Sequence, residues 1–83
     1  MPERLIPLAR QRIATGELPA VMPDQTFGGF SKGATCALCL DPIDARAPEI
    51  EVVHQRPARS YVMHPACFAA WSTAARELAA SST

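Results

Sequence analysis

Cys36-Ala37-Leu38-Cys39 and His64-Pro65-Ala66-Cys67 are the two stretches that decide how this chain is built. The first offers two thiols, the second an imidazole and a thiol, at the same Cys-x-x-Cys-like spacing. Together they make the ligand set of a closed, tetrahedral Cys3His site of the kind that holds zinc. All three cysteines of the chain belong to it, so none is left over for a disulfide. A disulfide within Cys36–Cys39 would close a loop too small to stabilise a whole domain. Buried thiols beside a core histidine are the bland alternative, but two paired clusters rarely arise by chance. Iron also takes thiolates, yet a histidine ligand without a redox motif around it favours zinc.

Working outward from the first pair, a zinc knuckle turns the chain so that backbone N–H groups face the sulfurs. Many knuckles place glycine after the second cysteine; here Leu40 stands there, and leucine resists positive φ. Asp41-Pro42-Ile43-Asp44 continues the turn, with Ile43 as its inward anchor. Glu49-Ile50-Glu51-Val52 alternates as a strand does, and Val53, Tyr61 and Val62 prefer β structure. Residues 49–64 therefore form a hairpin that reverses at Gln55-Arg56-Pro57-Ala58-Arg59. His64 ends its second strand, and Pro65 opens a helix at the position proline favours. Cys67, Phe68, Trp71, Ala75 and Leu78 mark that helix's buried side. The electropositive helix N-terminus should lower the pKa of Cys67. Knuckle, hairpin and helix in that order predict a small α+β domain of treble-clef-like form, spanning 36–80, with residues 81–83 a fraying tail.

Residues 1–18 add an N-terminal helix. Leu5, Leu8, Ala9 and Ile13 share one stripe, Pro7 suits a first turn, and Gly16 closes the helix in the left-handed conformation with Leu18 as its apolar contact. It either packs on the domain or detaches to dock a partner. Residues 19–35 hold Pro19, Pro23, Gly28, Gly29 and Gly33 and should be loop. Phe27-Gly28-Gly29-Phe30-Ser31-Lys32-Gly33 lacks the spacing of a phosphate-binding P-loop, and no apolar strand precedes it. Its two phenylalanines are expected to tuck against the metal-bearing unit. His54 lies outside the ligand motif and reads as a half-exposed packing residue.

At 83 residues the chain is a single domain, at a size where burial alone barely outweighs chain entropy and a staple is common. One structural Zn2+ would supply it. Apparent binding energies of about 10–16 kcal/mol in small zinc modules rival a whole domain's stability of about 5–15 kcal/mol. Loss of zinc should unfold such a chain. There is no apolar run long enough to span a membrane and no signal-peptide core, and clustered cysteines suit a reducing cytoplasm. Eight basic residues balance eight acidic ones, which speaks against a strong general phosphate binder. The Ala- and Arg-rich, Lys-poor composition suggests a GC-rich bacterial source.

Gly33-x-x-Cys36-x-x-Cys39-x-x-x-Ile43, Glu49-Ile50-x-Val52 and Tyr61-x-x-His64-x-x-Cys67-Phe68-x-x-Trp71 together resemble the poly(ADP-ribose) polymerase-type zinc finger. The ligand pattern also resembles the first half of a LIM module. The whole chain looks like a small stand-alone bacterial zinc-finger protein. The polymerase-type resemblance implies Cys36, Cys39, His64 and Cys67 as ligands, and recognition of DNA breaks through backbone phosphates and stacking on exposed bases. Lys32, Arg56 and Arg59 would then be the phosphate contacts.

Three functions compete. The first is a binding or adaptor module for a protein or nucleic acid, with Arg56 and Arg59 at the hairpin tip, and Lys32 near them, as its contact patch. The second is a switch in which oxidation of the thiolates expels zinc. The third, a hydrolase, lacks both an H-E-x-x-H motif and a nucleophile free of the metal, so no catalytic residue and no small-molecule substrate are expected.

Overall fold

The computed structural model describes residues 2–81. Five elements follow in order: α1 (Pro2–Ala14), β1 (Gln25–Phe30), β2 (Pro48–Gln55), β3 (Ala58–Met63) and α2 (Pro65–Ser81). The strands form one antiparallel sheet in the order β1-β2-β3. Both helices pack together, and α2 lies against β2 and β3. The molecule is thus an α+β fold, a three-stranded sheet with two helices.

The N-terminal helix ends as its sequence predicts. Gly16 takes φ +82°. Its N–H donates to Ile13 O at 3.1 Å and the next N–H, of Glu17, reaches back to Arg12 O at 2.9 Å, the paired bonds of a Schellman motif. Leu18 then drops into the core at 2 % exposure. The helix begins earlier than its proline suggested: Pro2 opens it and Pro7 sits inside, on the exposed side. α1 is docked. Ala9 is fully buried, Arg10 pairs with Glu77 of α2 at 2.6 Å, and Arg12 Nε donates to Leu38 O at 3.1 Å.

Residues 48–63 make the expected hairpin, with Gln55 opposite Ala58 and the reversal at Arg56-Pro57. Alternation along β2 turns Val52 and His54 inward, and Met63 comes from the facing strand. Against them α2 lays Cys67, Ala70, Trp71, Ala74 and Ala75, and the turn after Thr35 adds Leu38 and Ile43. Fully burying a side chain such as Ile43 or Leu38 stabilises the fold by about 1.5–3 kcal/mol.

Four expectations need correction. The segment expected to be all loop contains β1, held to β2 from Gln25↔Val53 to Phe30↔Pro48. Phe27 and Phe30 do not tuck inward but stand 50 % and 74 % exposed, because β1 is an edge strand that neither helix reaches. Leu78, expected on the buried side of α2, is 40 % exposed, since the helix outruns the sheet beneath it. α2 also continues through Ser81, whose Oγ donates to Leu78 O; the rest of the predicted tail, Ser82 and Thr83, lies outside the described residues.

Candidate metal centre

The first ligand pair is built by a tight turn. Ile43 N donates to Ala34 O at 2.7 Å, Cys36 N to Asp41 O at 3.0 Å, and Leu40 N to Cys36 O at 3.0 Å. These bonds, with the bridge between Thr35 and Pro42, fold residues 34–43 into a narrow finger with the cysteines at its tip. The N–H groups of Leu38, Cys39 and His64 point at the Cys36 sulfur, and that of Asp41 at the Cys39 sulfur. Leu40 adopts the left-handed conformation that a knuckle asks of glycine, at φ 67°, with its side chain mostly in solvent. Leu38 and Ile43 anchor the finger in the core, and Ala37 N donates to Val62 O of β3 at 2.8 Å.

A residue that sequence reasoning passed over locks this finger to the sheet. Ser31, just past β1, is 5 % exposed. Its Oγ donates to Ile43 O at 3.1 Å and accepts from Gly33 N and Ala34 N. Its own N–H donates to Ala47 O, and its carbonyl accepts from Arg46 N. The only sequence signal was a serine two residues before a glycine, the setting of a serine-centred turn.

The second pair comes from the junction of β3 and α2. His64 follows the strand, and Cys67 lies in the helix's first turn, which Phe68 N closes on His64 O at 2.9 Å. The two junctions bring the ligand atoms of Cys36, Cys39, His64 and Cys67 within 4.8 Å of one another. His64 presents Nδ1, 3.4 Å from Cys39 Sγ and 3.8 Å from Cys67 Sγ. A tetrahedron with metal–sulfur bonds of about 2.3 Å and a metal–nitrogen bond of about 2.0–2.1 Å has edges of about 3.5–3.8 Å. The four residues can hold one metal ion. Cys36 and Cys67 are buried, while Cys39 and His64 are partly exposed.

Metal-free electrostatics set the thiols against one another. Burial resists ionising Cys36, but the N–H groups of Cys39, His64 and Leu38 and the His64 ring outweigh it and bring the thiol down from 9.0 to about 7. Burial, reinforced by the neighbouring Cys36 sulfur, raises Cys39 against the pull of the Asp41 N–H. Burial and then the charge of Cys36 push Cys67 far up. The helix N-terminus was expected to lower Cys67; burial, and then the neighbouring sulfurs, override it. Three thiolates this close repel unless a cation lies between them, and a bound divalent ion would outweigh that repulsion and favour all three as thiolates. The donor set therefore fits a metal.

His54 is apart from the cluster and more buried than expected, at 6 % exposure. Its Nε2 bonds Val21 O at 3.0 Å, while the ring meets Tyr61 and Trp71 edge-on. Trp71 Nε1 donates to Pro19 O at 2.9 Å. Residues 19–21 are thus a strap fastened across the sheet and α2. Arg56 and Arg59 border a cavity of about 120 Å³ beneath this strap, which His54 and Tyr61 also line. Lys32 is not near them. It follows the end of β1 that faces Pro48, at the far end of the sheet from the hairpin tip. Arg56, Arg59 and Lys32 are all exposed, and none has an ion pair among the described residues.

No family model, curated protein or solved structure matches this chain.

Proposed function

We propose that Cys36, Cys39, His64 and Cys67 hold one structural zinc ion and that the chain is a treble-clef-type binding module, an adaptor for a protein or nucleic-acid partner. One observation carries the reading: a turn and a strand–helix junction, 25 residues apart from Cys39 to His64, converge on a single point with four soft ligand atoms. Knuckle, hairpin and helix follow in the order a treble clef requires. Mixed thiolate and imidazole donors in a tetrahedral arrangement favour zinc over harder cations. Four protein ligands leave no coordination position for water, so the ion is a staple and the chain is not an enzyme. Zinc-bound thiolates belong in a reducing compartment such as the cytoplasm.

Arg56 and Arg59 beside the cavity at the hairpin tip form the contact patch, and their unpaired charge favours an acidic or phosphate-bearing partner. Lys32 does not belong to that patch. Retention on DNA that weakens with salt, and is lost when Arg56 and Arg59 are replaced by alanine, makes the partner nucleic acid. Indifference to nicked, single-stranded and duplex DNA makes it a protein. Metal analysis tests the staple itself. One zinc per chain is expected, and a metal with a bound exchangeable water would overturn the non-enzymatic reading.

A further inference from the structure

The edge strand β1 carries none of the devices that keep sheet edges from pairing. All six of its residues are exposed, none is charged, none is proline, and neither helix covers it. Ser31 N donates to Ala47 O, so the alternation of the antiparallel ladder turns the N–H and C=O groups of Thr26, Gly28 and Phe30 outward, away from β2. Pro48, opposite Phe30, has no N–H to give and suits that non-bonded position. β1 therefore offers a second ladder to an incoming strand.

We infer that the incoming strand is β1 of a second copy of this chain, paired antiparallel about a two-fold axis at Gly28, so that two sheets fuse into one of six strands. The sequence around β1 is complementary to itself in that register. Gly28 faces its own copy, and Thr26 faces Phe30 through their outward hydrogen-bonding groups. Phe27 faces Gly29, where no atom stands within 4 Å of the position a Cβ would take, so the ring can lie over the bare backbone. Asp24 and Lys32, in the bends that bound β1, come to the same end of the joined ladder, twice by symmetry, with Asp24 N donating to Val53 O of its own sheet. Opposite charges facing across an antiparallel pair attract, and like charges repel. Shifting the register so that Phe27 faces Phe27 sets Asp24 against Phe30 and loses both charge pairs. Among the described residues Lys32 has no ion pair, and Asp24 uses Oδ2 to accept from Gln55 N at 2.8 Å. The pairing covers Phe27 and Phe30, the exposed aromatics that the protomer alone leaves in water. Because the axis is two-fold, the contact closes at the dimer.

Charge reversal tests the register on the full chain, with sedimentation equilibrium and native mass spectrometry as the readouts. Wild type should dimerise in a concentration-dependent way. Asp24→Lys and Lys32→Asp should each weaken self-association about tenfold at low salt, since each turns two attractive pairs repulsive. Mixed together they should form a heterodimer at least as tight as wild type, because both cross pairs are then attractive. Asp24→Asn keeps an acceptor for Gln55 N and should give an intermediate weakening, which separates loss of charge from loss of fold. A wild-type chain that stays monomeric at millimolar concentration overturns the inference. So does a mixture that associates no better than either variant alone, or growth into open-ended oligomers.

Discussion

Leu40 is where local strain and function meet. A leucine at φ 67° costs about 1–2 kcal/mol relative to a residue without a Cβ penalty, and its exposed side chain returns little of that through packing. The tight turn that carries the cysteines holds the leucine there, with Leu40 N bonded back to Cys36 O. Leu40→Gly should therefore stabilise the metal-loaded protein by about 1 kcal/mol, read as a rise in the denaturation midpoint. The histidines divide just as sharply. Replacing Cys36, Cys39, His64 or Cys67 by alanine should abolish stoichiometric metal binding. His54→Ala should leave metal content unchanged and lower stability by about 1–3 kcal/mol, since Val21 O loses its buried partner. Metal content by elemental analysis beside thermal denaturation distinguishes the two classes.

Among the elements, those written in local periodicity or motif spacing were readable from the sequence. The N-terminal helix, its glycine stop, the β2–β3 hairpin and the helix opening at Pro65 each follow from residues close in the chain. β1 was not readable, because Gln25-Thr26-Phe27-Gly28-Gly29-Phe30 shows no alternation and two glycines weaken β preference. It becomes a strand only because β2, more than twenty residues later, offers it an edge. The burial of His54 and the exposure of Leu78 likewise depend on where the strap crosses the sheet and where the sheet ends, neither of which any local pattern encodes. Ser31 shows how much hangs on such a non-local contact. Ser31→Ala leaves Ile43 O, Gly33 N and Ala34 N short of a partner and frees the finger that carries Cys36 and Cys39. It should cost about 1–3 kcal/mol and weaken metal affinity in a competitive chelator titration. Trp71→Phe should cost a similar amount, about 1–3 kcal/mol, by orphaning Pro19 O and loosening the strap, seen as faster amide exchange over residues 19–24.

For the whole molecule, the four-donor cluster joins the finger, the hairpin and α2, which also meet through a small core and the Ala37 N–Val62 O bond. The convergence of the four donors was readable from spacing alone, whereas the burial that raises Cys39 and Cys67, with the neighbouring sulfurs adding to it, was visible only in three dimensions. Without an ion Cys39 and Cys67 keep their protons, so loading a metal must displace them. Acid should release the metal as well, because protons compete for every ligand. The decisive measurement is helicity followed by circular dichroism while a strong chelator is titrated against protein of known zinc content. One zinc per chain, with helix signal lost as the chelator takes it and restored by one equivalent of zinc, is the predicted result. A chain that carries no zinc and melts cooperatively in excess chelator would contradict it.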